Sequence, residues 1–129
     1  MIRIFYSFRI KKRRKRKPIN QKHYLENKEK AREIILSRLK HFSDIYKANY
    51  GRVSIRNQRT RWGSCSRQGN LNFNYRLLTL QPKLRDYVIV HEICHLKEFN
   101  HGKNFWTEVS KTIPDYKEIR RELKKIRMT

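Results

Sequence analysis

The sequence contains little cysteine, glycine or proline: two cysteines, four glycines and three prolines among 129 residues. Two cysteines cannot build the disulfide framework of a small secreted domain. Cys65 and Cys94 also lack the C-x-x-C spacing of a structural zinc ribbon. We therefore expect Cys94 to be a small core residue, and Cys65 either to pack in the core or to line a cleft.

Long hydrophobic runs are also missing. No apolar stretch approaches the roughly 20 residues that a membrane-spanning helix needs. The apolar start of the chain is too short for a secretory signal, and positive charge follows it rather than precedes it. Together with the length, these features predict a monomeric cytoplasmic protein with one domain and no membrane association.

Acidic residues are scarce, with 11 against 33 lysines and arginines, which gives a net charge of +22. Such a surface attracts polyanions, although a solvated tail without a partner is the open alternative. We interpret residues 1–18 as a basic arm ahead of a single domain at 19–129, because charges this dense repel one another. No aromatic residue interrupts the basic run, which favours contact with phosphates over base stacking. The candidate nucleic-acid contacts are Lys11, Lys12, Arg13, Arg14, Lys15, Arg16 and Lys17.

The most informative motif is H-E-x-x-H, formed by His91, Glu92 and His95. On a helix the two histidines point the same way one turn apart and can bind zinc, and Glu92 is close enough to take a proton from a metal-activated water. The surrounding segment 82–100 is apolar on nearly every face, which predicts a buried helix. Buried histidine and glutamate are costly without a partner, so we favour a metal site over a pair of surface histidines.

A third ligand is expected just beyond this helix. Residues 100–102, Asn-His-Gly, predict a helix stop, which would let His101 turn back toward the metal. Glu98, Glu108 and Glu118 are alternative ligands, since glutamate also completes such sites. We favour His101, with Glu98 as a hydrogen-bonding partner of a ligand histidine. The fourth coordination position would then stay open, as in a catalytic site.

The remaining patterns predict an α+β fold: a small antiparallel sheet packed with an N-terminal amphipathic helix, the buried motif helix and C-terminal helices. His23 and His41 are expected on the surface. Asp115 and Glu118 predict a capping box for the last helix. The expected strands lie at 1–9, 53–56, 60–65 and 71–73, and the expected helices at 21–48, 82–100, 104–112 and beyond 115.

A substrate cleft is expected along the second predicted strand of the 53–73 region. An extended peptide can pair with an edge strand beside a catalytic metal through main-chain hydrogen bonds. Gly63 inside the strand predicts a bulge or the close approach of another backbone. A structural hairpin with Trp62 in the core is compatible with either interpretation. The candidate cleft residues are Trp62, Gly63, Ser64 and Cys65.

Four sequence segments together resemble the YgjP-like metallopeptidase family, which is related to the SprT-like zinc proteases: RWGSC at 61–65, DYVIVHEICHL at 86–96, NH at 100–101 and FW at 105–106. The resemblance covers residues 52–116, about half of the chain. It implies a zincin-like fold and hydrolysis of peptide bonds. It also implies one Zn²⁺ per chain held by His91, His95 and His101, with Glu92 as the catalytic base.

Two other functions remain open at the level of sequence. One is a metal-dependent hydrolase of nucleotides or other phosphorylated substrates, attracted by the positive surface. The other is a nucleic-acid-binding protein in which zinc is mainly structural. The SprT-like relatives include proteases that act on protein bound to DNA, so peptidase activity close to nucleic acid is a third, combined possibility.

Overall fold

The computed structural model describes residues 2–5 and 21–128. The expected α+β architecture is confirmed, and in the described part of the chain no helix is both long and apolar enough to cross a bilayer. The basic run at 11–17 lies outside the described residues. The elements are β1 (Ile2–Phe5), α1 (Gln21–Tyr46), β2 (Val53–Arg56), β3 (Arg61–Cys65), β4 (Leu71–Asn74), a 3-10 helix (Tyr75–Thr79), α2 (Pro82–His95), α3 (Lys103–Ser110) and α4 (Tyr116–Lys124).

Helix α1 is the long amphipathic helix that the sequence predicts. Its apolar residues recur every three or four positions, so that one face is buried while lysines, arginines and glutamates fill the others. A bidentate ion pair joins it to α2: Arg38 Nε lies 2.9 Å from Asp86 Oδ1, and its terminal nitrogen lies 3.0 Å from Oδ2. This contact, together with apolar packing, fixes α2 against α1. The buried residues of α1 are Ala31, Ile35, Leu39, Phe42, Ser43 and Tyr46.

The sheet has the strand order β1-β3-β4-β2. Strand β3 runs antiparallel to both β1 and β4, whereas β2 runs parallel to β4. The sheet is therefore small, as expected, but mixed rather than wholly antiparallel. Alternation of apolar residues predicts strands and their faces, and it does not specify which strand pairs with which. Strands β3 and β4 pair antiparallel, and β2 pairs with the other edge of β4 and runs parallel to it.

Helix α2 lies at the centre of the molecule, in contact with α1, α3, α4 and β3. Pro82 occupies its first turn, and every residue from Tyr87 to His95 is buried. The expected buried helix is therefore confirmed, although it ends at His95 and not at 100–102. The capping box predicted for α4 is not formed, because the Asp115 side chain makes no capping hydrogen bond.

Candidate metal centre

Three histidine side chains converge at the C-terminal end of α2. Their Nε2 atoms lie 3.0 Å apart for His91 and His95, 3.1 Å for His91 and His101, and 2.9 Å for His95 and His101. His91 and His95 come from successive turns of α2, and His101 comes from the loop that joins α2 to α3. Within residues 21–128 this is the only cluster of three or more side chains that could bind a metal ion. The three predicted ligands are thus brought together, and Glu98, Glu108 and Glu118 lie outside the cluster.

The outer nitrogens of the two helical histidines fix the ring orientations. His95 Nδ1 lies 3.1 Å from the main-chain oxygen of Glu98, and since a carbonyl only accepts, Nδ1 carries the proton. His91 Nδ1 lies 3.1 Å from the Tyr87 hydroxyl oxygen, which can accept a hydrogen bond from Nδ1–H in the same way. Both Nε2 atoms then present lone pairs toward the cluster, the arrangement usual for metal-binding histidines.

These contacts correct one expectation and add one residue. Glu98 was predicted to assist a ligand histidine, and it does so through its main-chain carbonyl in place of its carboxylate. Tyr87 was not selected from the sequence, although it lies four residues before His91 and therefore on the same face of α2. Its position in the motif helix was the available signal.

Burial keeps the three rings neutral. It lowers the pKa of His91 well below 6.5, with further contributions from His95, His101 and Arg120. Burial also lowers the pKa of His95 to about 4, and burial together with Arg120 lowers that of His101. Neutral imidazoles are the forms that bind metal ions, and lone pairs that point at one another are stabilised by a cation between them. The donors, their tautomers and their charge state all fit a metal ion.

Aromatic side chains surround the cluster on the side of α3. Phe105 is fully buried and stacks on His95, with ring centres 4.4 Å apart and an interplanar angle of 21°. Trp106 lies 6.0 Å from both His91 and His101. These rings pack beneath the loop that carries His101 and cover the cluster on that side, whereas His101 itself is exposed.

Glu92 lies next to the first histidine and is fully buried. Among the described residues, neither of its carboxylate oxygens has a hydrogen-bond partner. Burial raises the pKa of this carboxyl well above 4.5. A buried acid without partners costs stability, and such groups are concentrated at functional sites, where their unmet hydrogen-bonding capacity is used in chemistry.

Strand β3 comes very close to this carboxylate. A Cβ placed on Gly63 would lie 3.1 Å from Glu92 Oε2 and 3.1 Å from the main-chain oxygen of Asn72. The register between β1 and β3 also shifts between Arg3 and Phe5, opposite Gly63 and its neighbour Trp62. The irregular register and the close approach of the Asn72 main chain agree with what the glycine predicted, whereas the close approach of the Glu92 side chain was not expected.

The predicted substrate edge is corrected by the topology. Strand β3 carries Trp62, Gly63, Ser64 and Cys65, and it lies between β1 and β4, so a peptide cannot pair with it while β1 is in place. The edges of the described sheet are β1 and β2. Trp62 is a core residue, and Cys65 and Cys94 are buried free thiols. Residues 2–5 form a strand of the sheet, within the strand predicted at 1–9.

The sheet, the central buried helix and the three-histidine cluster with its adjacent buried glutamate together define a zincin-like metallopeptidase. A family model described as YgjP-like, metallopeptidase domain, matches residues 3–126. The chain therefore belongs to the YgjP-like metallopeptidase family and is a metal-dependent peptidase.

Solved structures show the same fold. The chain is similar to the metallopeptidase zymogen abylysin of Pyrococcus abyssi, with a TM-score of 0.63, 28% identity, and coverage of 69% of this chain and 90% of that one. It is also similar to the zymogen jannalysin of Methanocaldococcus jannaschii, with a TM-score of 0.61, 23% identity, and coverage of 69% and 92%. No curated protein matches the sequence significantly.

Proposed function

We propose that this protein is a zinc peptidase in which His91, His95 and His101 hold one Zn²⁺ and Glu92 acts as the general base. The observation that carries the proposal is the convergence of three Nε2 atoms at 2.9–3.1 Å beside a buried carboxylate without partners. Family membership supplies the reaction class, and the local geometry supports the role of each residue.

The donor set supports zinc as the ion. Three imidazoles suit zinc better than magnesium or calcium, which prefer oxygen ligands. Tetrahedral zinc with Zn–N distances of about 2.0–2.1 Å places neighbouring ligand nitrogens about 3.3 Å apart, close to the spacing found here. Three protein ligands are typical of catalytic zinc sites, in which a fourth position is left for water or substrate.

The chemistry follows from the position of Glu92. The chemistry that zinc supplies when bound is Lewis acidity, which polarises the scissile carbonyl and lowers the pKa of water toward neutrality. Glu92 takes a proton from the attacking water as the new C–O bond forms. It then delivers that proton to the amine nitrogen as the C–N bond breaks. A carboxyl whose pKa is raised by burial is suited to both steps, because it accepts and releases protons more nearly at neutral pH.

The third ligand provides the sharpest test of the zinc site. We expect His101→Ala to lose bound zinc, measured by elemental analysis, and to lose casein cleavage with it. His41→Ala is the matched control, because His41 is exposed on α1 and lies outside the cluster. Full zinc content in His101→Ala, or zinc loss in Glu108→Ala or Glu118→Ala instead, would show that the third ligand is assigned wrongly.

Hydrolysis of phosphorylated substrates is less well supported. Enzymes of that kind usually use paired metal ions about 3.5–4 Å apart. The described residues offer one histidine cluster and no second group of ligands beside it. A single three-imidazole site favours peptide hydrolysis.

We further propose that the peptidase works close to nucleic acid in the cytoplasm. The net charge of +22 and the basic residues of α4 support proximity to nucleic acid, and the two free thiols suit a reducing compartment such as the cytoplasm.

We expect replacement of the seven basic residues at 11–17 by glutamine to weaken RNA and DNA binding and to reduce the salt dependence of that binding, as measured by fluorescence anisotropy. Zinc content should stay unchanged. Equal binding by the substituted protein would contradict the interpretation of residues 1–18 as a nucleic-acid-binding arm.

A further inference from the structure

A positive charge is fixed beside the histidine cluster by an aromatic ring. The guanidinium carbon of Arg120, on α4, lies 4.4 Å from the centre of the Trp106 ring. Trp106 in turn lies 6.0 Å from the rings of His91 and His101. The charge is near enough to lower the pKa of both histidines. Arg120 and the histidine cluster thus contact the same aromatic ring.

This charge has no acidic counterpart in the described part of the chain. None of the ion pairs among residues 21–128 includes Arg120, although the same helix carries Glu122, which pairs with Lys83. A guanidinium beside three histidines repels the cation that those histidines bind. Its presence is therefore unfavourable for metal binding, and it becomes favourable once a negative charge lies close to both the guanidinium and the metal ion.

The guanidinium is also held in position before any substrate arrives. Tyr116, one turn before Arg120 on α4, stacks on Trp106 with ring centres 4.9 Å apart and an interplanar angle of 13°. Trp106 therefore connects α4 to the histidine cluster through ring contacts on several sides. Fixed donors are effective in transition-state stabilisation, because they need no rearrangement as charge develops.

We propose that Arg120 binds the oxyanion that forms on the scissile carbonyl of the peptide substrate. The proposal rests on the peptidase function above and adds a residue to it. When the water oxygen bonds to the carbonyl carbon, the electron pair of the C=O bond moves onto the carbonyl oxygen, and the guanidinium donates N–H groups to that anion. As the C–N bond breaks, the electron pair on the oxygen re-forms the C=O bond. The electron pair of the C–N bond stays on the nitrogen, and the amine leaves with the proton from Glu92.

The test measures zinc affinity and catalysis on the same variants. For Arg120→Gln we expect kcat for a fluorogenic peptide to fall about 10²–10³-fold with little change in KM, as for the loss of an oxyanion donor. Zinc affinity, measured by competition with a chelator, should rise, because a repelling charge is gone. Arg120→Lys should keep wild-type zinc affinity and recover part of the rate. Arg121→Gln, an exposed neighbour on α4, should match the wild type in both.

Other outcomes separate the alternatives. Zinc affinity that falls together with kcat in Arg120→Gln would show that Arg120 only supports the fold, and would overturn the assignment. A rate loss confined to peptides with a free C-terminal carboxylate, and absent for amidated ones, would overturn it in favour of terminal recognition. Wild-type kcat in Arg120→Gln overturns this assignment alone. A zinc-loaded wild type that cleaves no peptide overturns the peptidase proposal and this assignment together.

Discussion

Glu92→Gln should lower peptide hydrolysis by about 10²–10⁴-fold, the usual contribution of a general base, while zinc stays bound. The amide keeps the size of the carboxyl group but cannot take the water proton, and Glu92 is not a member of the histidine cluster. Casein cleavage and elemental analysis on the same preparation measure both effects. Glu98→Gln is the matched control, because only its main-chain oxygen contacts His95. Unchanged turnover in Glu92→Gln would remove Glu92 from the mechanism.

The same substitution should raise the melting temperature of the metal-free protein at neutral pH, because a neutral amide avoids the cost of keeping the buried carboxyl charged or protonated there. The sign follows from the raised pKa of Glu92. Its contribution to stability is fully present below the unfolded value of about 4.5 and is lost as pH rises toward the folded pKa. The melting temperature of Glu92→Gln should therefore exceed that of the wild type by more at pH 7.5 than at pH 5.

The histidines produce the opposite pH dependence, and the same variant isolates it. Their pKa values are lowered by burial, so their contribution is present above the unfolded value of 6.5 and is lost as pH falls below it. In metal-free Glu92→Gln, the melting temperature should fall between pH 7 and pH 5. A constant melting temperature over that interval would contradict the neutral state of the buried His91 and His95.

The sequence was most informative where chemistry and periodicity agree. The spacing of His91 and His95 has meaning only on a helix, and the apolar residues around them require that helix to be buried. The family resemblance and the turn signal before Gly102 both selected His101, and its ring joins the other two in the structure. Local spacing was sufficient for these residues because they lie within eleven positions of one another.

Features that depend on tertiary contacts were not accessible in this way. The parallel pairing of β2 with β4 and the position of β1 beside β3 follow from strand partners, which alternation alone does not specify. Every residue has a main-chain oxygen, so the contact between that of Glu98 and His95 cannot be predicted from the residue type. Arg120 is one of 33 basic residues, and only the packing of α4 against Trp106 distinguishes it from the others.

Gly63→Ala is expected to damage catalysis through this tertiary packing. The new Cβ would lie 3.1 Å from Glu92 Oε2, 3.2 Å from its Cγ and 3.1 Å from the main-chain oxygen of Asn72. Asn72 is held by the pairing of β3 with β4, so the Glu92 side chain is the group that must move. The contacts require a shift of only a few tenths of an ångström, and because a displacement of about 1 Å can cost 10²-fold in rate, we expect kcat to fall by up to about tenfold.

Two measurements distinguish this displacement from general misfolding. Zinc content of Gly63→Ala should equal that of the wild type, because the substitution faces the base and not the three histidines. Gly102→Ala is the matched control, since a Cβ there meets no atom within 4 Å although it adjoins a ligand histidine. Wild-type turnover in Gly63→Ala would mean that the strand gives way more easily than the carboxylate. A wild-type rate together with an intact zinc site would then mean that α2 and the three histidines form the rigid part of the active site and that β3 adapts to them.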